Sequence, residues 1–344
     1  MIRLKDIAEH VGVSISTVSR VVQNDSTRNV HPETKRKIWE AVKELGYIPN
    51  QHARNLVTKN HEKKHTRTLT IGWIVNRTLS ESHPYFSSVF PGITDTLAKA
   101  NYTLINIHKE ELQNETMLLK IVHELGMEGL ILIDEIDDNI LEYITQYLPV
   151  VGVDFYCTNK NISSIDYDRE AAVKMAVQHL KQQGHQKIGF IGGGVGDNYE
   201  NLHDEKRYKG FQYAMGEAGL EIHSEWIVNT RWEMKESYER MNRLIKEHRD
   251  HLPTAIFCAS DMMAIAAMRA VLENKLRVPE DIAFIGVDNI EMAKYTTPPL
   301  TTIDIPKYEI GAMAAKTVMD KVEKKIKLPV KIILPHELII RESS

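Results

Sequence analysis

The chain has 344 residues, of which 42% are hydrophobic, and its formal net charge is −4. This length allows two or three domains, and the apolar fraction is sufficient for globular cores. The sequence has no run that approaches the roughly 18 apolar residues of a membrane span, and its charged start does not resemble a signal peptide. We therefore expect a cytoplasmic protein with no membrane contact. The cysteines, Cys157 and Cys258, lack metal-type spacing and are expected to be reduced core thiols.

Charge is distributed unevenly along the chain. Residues 1–67 contain 13 Lys or Arg against 7 Asp or Glu, a balance of +6, whereas the remaining 277 residues have a balance of −10. Phosphate groups attract a basic segment and repel an acidic one. This asymmetry suits an amino-terminal segment that binds a polyanion such as double-stranded DNA.

The first 22 residues have the spacing of two short helices that cross at a tight turn. Ala8 is small enough to let a second helix approach, Gly12 suits a turn with positive φ, and Ser14 can cap the second helix. Val18 and Val21 share one helical face and are expected in the core. The pattern is typical of a helix-turn-helix, with an ordinary helical hairpin as the alternative. The positions that we assign to DNA contact are Ser14, Ile15, Ser16, Thr17, Ser19 and Arg20.

A third helix is predicted to begin at residues 31–33. Proline is favoured in the first helical turn, and an acidic residue there interacts well with the helix dipole. The apolar positions that follow fall on one helical stripe. Three short helices around one small core make a DNA-binding headpiece over residues 1–49. The stripe consists of Ile38, Trp39, Val42 and Leu45.

From Tyr47 the sequence continues as YIPNQHARNLVTKN. With the opening pattern and later segments, this stretch resembles bacterial transcription regulators of the lactose and galactose repressor family, and the similarity spans essentially the full length. The resemblance implies a hinge helix and linker over residues 50–67, in which Ala53 and Leu56 meet the partner hinge and wedge into the minor groove. The alternative is a polar interdomain linker. The residues that the resemblance assigns to DNA here are Asn50, Ala53, Arg54 and Leu56.

From Leu69 onward, near-continuous apolar runs alternate with amphipathic helical patterns. This alternation predicts parallel sheets covered by helices on both faces. We expect a core of two doubly wound α/β lobes over residues 68–344, which agrees with the periplasmic-binding-protein-like core of the family. The predicted strands are 68–75, 102–108, 129–133, 150–154, 187–193, 255–260 and 282–288. The predicted helices are 86–100, 115–125, 169–183, 204–219, 235–248 and 261–274.

A cleft between the two lobes is the predicted effector site, because ligands of doubly wound sheets bind beyond the carboxyl ends of the strands. Carboxylates and a guanidinium can bind vicinal sugar hydroxyls with paired hydrogen bonds, and aromatic faces can pack against the sugar ring. The alternative for each strand-end Asp is a helix N-cap. The candidates from strand ends and from the resemblance are Tyr85, Phe86, Asp154, Arg207, Trp232, Ser260, Asp261 and Asp288. Ser260 departs from the Asn often found in sugar-binding members of the family.

Three further patterns do not support an enzyme. The stretch His61 to His65 matches a metalloprotease pattern but lies in a charged linker without an apolar face. The glycine-rich stretch 192–196 lacks the final glycine of a dinucleotide fingerprint. No serine lies in a nucleophile elbow. We expect no catalytic residue, no metal and no cofactor.

The sequence therefore predicts an allosteric repressor controlled by a small molecule. It is expected to bind a palindromic operator as a homodimer, because the chain lacks the leucine heptads of a tetramerising tail. The expected effector is a small sugar that releases the operator, with a galactoside as the first candidate. Two alternatives stay open: a regulator activated by a purine or another metabolite as corepressor, and a sugar-binding protein that does not bind DNA.

Overall fold

The structure is a computed structural model that describes residues 2–22, 30–45, 47, 68–76, 83–113, 118, 120–122, 125–133, 136–153 and 162–344. Within these residues an all-α headpiece precedes an α/β core. Among the described helices, none combines the length and the hydropathy that a bilayer crossing requires.

The headpiece consists of α1 (Leu4–Val11), α2 (Ile15–Val22) and α3 (Pro32–Leu45). Gly12 ends α1 with a φ of 73°, and its amide donates to the Ala8 carbonyl oxygen at 2.9 Å. The Thr17 amide donates to Ser14 Oγ at 3.1 Å, so Ser14 caps α2. The three helices meet in one small core, and the helix-turn-helix prediction is confirmed. The buried residues of this core are Ile7, Ala8, Val18, Val21, Val22, Ile38, Ala41, Val42 and Tyr47.

The core contains two six-stranded sheets. Their orders are β11-β5-β4-β3-β1-β2 and β12-β10-β9-β8-β6-β7. The pairings described residue by residue are parallel, apart from β10 with β12, which is antiparallel. The predicted parallel sheets are therefore confirmed. The strands are β1 (Thr70–Val75), β2 (Thr103–His108), β3 (Gly129–Leu132), β4 (Val150–Val153), β5 (Ser163–Tyr167), β6 (Ile188–Gly192), β7 (Ile227–Asn229), β8 (Ala255–Cys258), β9 (Ala283–Asp288), β10 (Thr301–Asp304), β11 (Lys331–Leu334) and β12 (Glu337–Ile339).

Helices connect most of these strands. They are α4 (Pro84–Lys99), α5 (Asp138–Thr145), α6 (Arg169–Gln182), α7 (Lys206–Ala218), α8 (Met234–Glu247), α9 (Asp261–Glu273) and α10 (Lys307–Val322). The predicted helix 115–125 falls largely outside the described residues. The elements that the sequence patterns did not indicate are β5, β7, β10, β11, β12, α5 and α10. Most of these strands are short or carry polar residues, as in the sequence SSIDY of β5, so they have no continuous apolar run to identify them.

The chain divides into two compact units, residues 1–80, 94–163 and 314–329, and residues 81–93, 164–313 and 330–344. The first unit has a core built around Ile74, Leu130 and Leu132. The second has a larger core that includes Phe284 and Cys258. Cys258 is a free thiol, and burial raises its pKa, as expected for a reduced core cysteine. Cys157 lies outside the described residues.

Two glycines let α4 and α10 pack backbone to backbone in the second unit. A Cβ added to Gly92 would lie 2.0 Å from the Tyr308 carbonyl oxygen, and one added to Gly311 would lie 2.1 Å from the Val89 carbonyl oxygen. No residue other than glycine fits such an approach. This contact holds α4 and α10 against each other. The first turns of these two helices contain Tyr85 and Lys307.

Candidate operator-reading and effector sites

The exposed surface of helix α2 carries several hydroxyl groups and one large aliphatic side chain. Ile15 is 48% exposed, which is unusual for a large aliphatic residue in a helix that packs on two others. The Ser14 hydroxyl lies 2.8 Å from Ser16 Oγ and 2.7 Å from Thr17 Oγ1, so three hydroxyl groups cluster at the start of the helix. Ser19 and Arg20 are half-buried one turn later. Such a surface can offer hydrogen bonds to base edges and an apolar contact to a thymine methyl group.

Several predicted positions lie outside the described residues. These are the hinge positions Asn50, Ala53, Arg54 and Leu56, the strand-end residue Asp154, and the stretch His61 to His65. Their assignments stay predictions from the sequence.

Arg207 is held in the first turn of α7 by its neighbour Glu205. The Glu205 carboxylate accepts hydrogen bonds from the Arg207 amide at 2.7 Å and from Arg207 Nε at 2.9 Å, and it also caps the helix through the Tyr208 amide at 3.0 Å. Arg207 Nη1 donates to the Ala259 carbonyl oxygen at 3.1 Å. These bonds fix the guanidinium, so the charge of Arg207 has a defined orientation before any ligand binds.

Trp232 lies under this guanidinium. Arg207 Cζ is 4.4 Å from the centroid of the Trp232 ring, and Trp232 Nε1 donates to the Gly194 carbonyl oxygen at 2.9 Å. A Cβ added to Gly193 would lie 2.5 Å from three atoms of the indole, so the glycine-rich stretch after β6 makes room for the ring. This close approach explains the glycine at position 193, and Gly194 is explained by the Tyr199 carbonyl oxygen, which would lie 2.5 Å from an added Cβ.

Tyr85 and Tyr167 bring two buried hydroxyl groups to the same unit. Neither Oη has a hydrogen-bond partner among the described residues. Burial raises the pKa of both phenols, and the two rings also interact electrostatically with each other and with Asp288. Phe86 packs edge-on against Tyr85 with ring centroids 5.0 Å apart. An unpaired buried hydroxyl costs about 1–3 kcal/mol, so both groups favour a ligand that supplies hydrogen bonds.

Asp288 ends β9 in a strained conformation, with a φ of 108°. Its side chain is buried, and Lys307 Nζ donates to its backbone oxygen. Burial raises the pKa of Asp288 well above the usual range of a carboxyl group; the nearby Asp261 raises it further, whereas Arg207 acts in the opposite direction. Strain and a perturbed carboxyl at one residue are typical of a functional site.

Ser260 and Asp261 have local structural partners. Ser260 caps α9 by accepting a hydrogen bond from the Met263 amide at 3.3 Å. Asp261 Oδ2 accepts from the Ile290 amide at 2.9 Å, and Oδ1 accepts from Thr302 Oγ1 at 2.6 Å. Asp261 is fully buried and both of its oxygens accept hydrogen bonds within the protein, which disfavours its predicted contact with an effector. The N-cap role that was the alternative for the strand-end Asp residues is filled at this helix by Ser260.

The sequence patterns missed a group of buried residues around Tyr167. Asp166 Oδ1 accepts from the Tyr167 amide at 2.9 Å and from Arg169 Nη2 at 3.2 Å, and Lys206 Nζ lies 3.4 Å from Asp166 Oδ2. Burial, together with the nearby Arg207, lowers the pKa of Arg169 to about 10. The sequence gives one signal here, the charged residues that follow SSIDY. SSIDY itself is too polar to suggest a buried strand.

Comparison with known proteins identifies relatives of both the headpiece and the α/β core. A family model described as bacterial regulatory proteins, lacI family, matches residues 3–50, and one described as a periplasmic binding protein-like domain matches residues 177–344. The HTH-type transcriptional repressor PurR of Pasteurella multocida is 34% identical over 351 residues, which cover 100% of this chain and 98% of the relative.

Solved structures show the same fold. The complex of the transcriptional regulator CelR with cellobiose has a TM-score of 0.73 at 25% identity and covers 100% of both chains. The lac repressor dimer bound to operator and the anti-inducer ONPF has a TM-score of 0.68 at 24% identity, covering 99% of this chain and 98% of that one. With its helix-turn-helix headpiece, its two-lobed α/β core and a full-length relative at 34% identity, the chain belongs to the lacI family of DNA-binding bacterial transcriptional repressors.

Proposed function

We propose that the chain represses transcription by binding a palindromic operator as a homodimer, and that a small sugar in the second unit releases it. A galactoside is the first candidate. The observation that carries the effector assignment is the Arg207 guanidinium, stacked on Trp232 in the unit that also contains the strained Asp288. A cation, a carboxyl group and an aromatic ring together suit the hydroxyls and the apolar face of a sugar.

The buried hydroxyls of Tyr85 and Tyr167 support a ligand with many hydroxyl groups. Each phenol can donate one hydrogen bond and accept another, and a sugar hydroxyl can do the same. This match of hydrogen-bonding groups favours a sugar over a purine.

A purine is nevertheless the second candidate, because relatives that match this chain over its full length carry the name PurR. The two ligands predict opposite responses. A sugar inducer weakens operator binding, whereas a purine corepressor strengthens it.

A titration of operator DNA tests both proposals. The operator is first selected from a randomised duplex library, and its affinity is then measured by fluorescence anisotropy with a panel of sugars and purine bases. We expect a galactoside to weaken operator binding by about 5–150-fold, the usual range of allosteric coupling. Tighter binding with a purine would establish the corepressor alternative, and no response to any ligand would contradict effector control by either class.

The hinge assignment has a separate test. An isolated helix of fewer than about 12 residues is unstable in water, so hinge helices over residues 50–58 should form only when paired on DNA. Leu56→Ala should then weaken operator binding and reduce DNA bending without changing the melting temperature of the free protein. A lower melting temperature with unchanged operator affinity would contradict this assignment. Sedimentation of the free protein tests the homodimer.

A further inference from the structure

Two histidines and a glutamate converge at the start of β7, and neither proposed site includes them. His223 precedes and Glu225 lies within the short 3-10 turn Ser224–Trp226, while His251 follows the end of α8. His223 Nδ1 lies 3.6 Å from Glu225 Oε1, and His251 Nε2 lies 3.7 Å from the same oxygen. One donor atom from each residue can be chosen so that all three lie within 4.8 Å of one another.

This set of donors matches the preferences of a divalent transition metal. Zinc binds imidazole nitrogen and carboxylate oxygen at about 2.0–2.2 Å, so two ligand atoms of a tetrahedral ion are about 3.4 Å apart. Both nitrogen-to-oxygen distances in the cluster exceed this value by only a few tenths of an ångström. Two imidazoles and one carboxylate are also a known protein ligand set for zinc, with water in the fourth position.

The buried Trp226 positions both imidazoles. Its ring centroid lies 4.1 Å from that of His223 and 5.0 Å from that of His251, and its Nε1 donates to the His251 carbonyl oxygen at 3.0 Å. The ligand side chains themselves stay accessible, with exposures of 26% for His223, 30% for Glu225 and 47% for His251. A dissolved ion can therefore reach donors that are already oriented.

The surrounding charges also suit a cation. Glu221 Oε2 lies 3.8 Å from His223 Nε2, the ring nitrogen that faces away from Glu225. Carboxylates commonly occupy this outer position in metal-binding histidines, where they orient the ring.

We propose that His223, Glu225 and His251 form a binding site for a divalent transition-metal ion, with zinc as the first candidate. Bound metal would connect the turn before β7 to the segment after α8. It would stabilise the folded protein, because unfolding separates the ligands.

The experiment must exclude zinc binding at His61 and His65, the two histidines with metalloprotease spacing. We therefore use full-length protein carrying His61→Ala and His65→Ala as the background, strip it with a chelator, and titrate it with zinc chloride in a calorimeter. The background protein should bind one zinc ion per chain, and its melting temperature should rise with zinc. Failure to bind zinc would overturn the proposal.

Ligand variants in the same background locate the ion. His251→Ala and Glu225→Gln should each weaken zinc binding by about tenfold or more, because a ligand is lost or its charge removed. His10→Ala is the matched control, since His10 Nε2 also faces a glutamate, Glu44, at 3.2 Å, but no third metal-binding side chain joins this pair among the residues that the structure describes. Circular dichroism without metal checks folding, and Glu225→Gln decides the matter should His251→Ala fail to fold. Unchanged zinc affinity in a folded ligand variant would overturn the proposal.

Discussion

The guanidinium of Arg207 lies over the indole of Trp232, with Arg207 Cζ 4.4 Å from the ring centroid. The two side chains come from different elements, the first turn of α7 and the turn that precedes α8. Arg207 is fixed by Glu205, and the indole is fixed by its hydrogen bond to Gly194. The pair is therefore preformed, which reduces the ordering cost that a ligand would have to overcome.

Replacing the indole tests whether this pair binds the effector. Trp232→Ala should weaken effector binding by about 2- to 30-fold, because the guanidinium loses the ring that holds it in place, an interaction of about 0.5–2 kcal/mol. Calorimetry with the ligand identified in the operator titration measures the change. Tyr213→Ala on α7 is the control, because Tyr213 is 64% exposed and should not affect binding. Equal affinities of Trp232→Ala and the control would place the ligand elsewhere.

Gly193 provides a second, steric test of the same pair. Gly193→Ala places a Cβ where it would lie 2.5 Å from the indole, so the ring must move and effector affinity should fall. Gly216→Ala within α7 has open space and should be neutral or stabilising by up to about 1 kcal/mol. Tryptophan fluorescence and thermal denaturation distinguish the two variants. If they behaved alike, the close packing of Gly193 against Trp232 would be wrong.

Asp288 should make stability depend on pH. Its pKa is raised in the folded protein, mainly by burial, so the folded state holds a proton that the unfolded state releases. Stability should therefore fall as the pH rises from the usual carboxyl range, near about 4, towards and through neutrality. Asp288→Asn removes this ionisation. Its melting temperature should exceed that of the parent increasingly from pH 5 to pH 8, by about 2–4 °C for each kcal/mol recovered.

The same Asp288→Asn variant should bind the effector more weakly, since a carboxylate that accepts two hydrogen bonds becomes an amide that accepts at one atom. Calorimetry at pH 8 measures this loss. Gains in stability that accompany lost function are common at binding sites. A variant with parental affinity, or with a melting-temperature difference that does not vary with pH, would contradict the assignment of Asp288.

Arg20 should read a base rather than a phosphate. Arg20→Ala should cost about 1–3 kcal/mol of operator affinity and relax preference at one base pair in each half-site. Anisotropy titrations on operators altered one base pair at a time measure both effects. Lys174→Ala on α6 is the control outside the headpiece and should leave operator binding unchanged. An equal loss on every operator variant would mean that Arg20 contacts only phosphate.

Sequence patterns could identify some of the candidate effector residues but not others. Arg207 and Asp288 could be selected because one lies near a helix start and the other ends an apolar strand. Tyr167 and Arg169 could not, because β5 is polar and its described pairing is with β11, more than 160 positions later. Asp261, like Asp288, was selected because it follows the carboxyl end of a predicted strand. Its role depends on Thr302, 41 positions away, whose hydroxyl occupies one of its oxygens.

The sequence by itself determined the headpiece, the alternation of strands and helices, and hence the family fold. Its signals there are local: the spacing of Gly12, Ser14 and Val18 specifies a turn, a cap and a core contact within one short segment. The tertiary structure alone decided which of the described polar side chains find hydrogen-bond partners within the protein, and it alone brought His223 and His251 to one glutamate. Those contacts join residues distant in the chain, and their geometry follows from sheet pairing and packing rather than from any pattern of neighbouring residues.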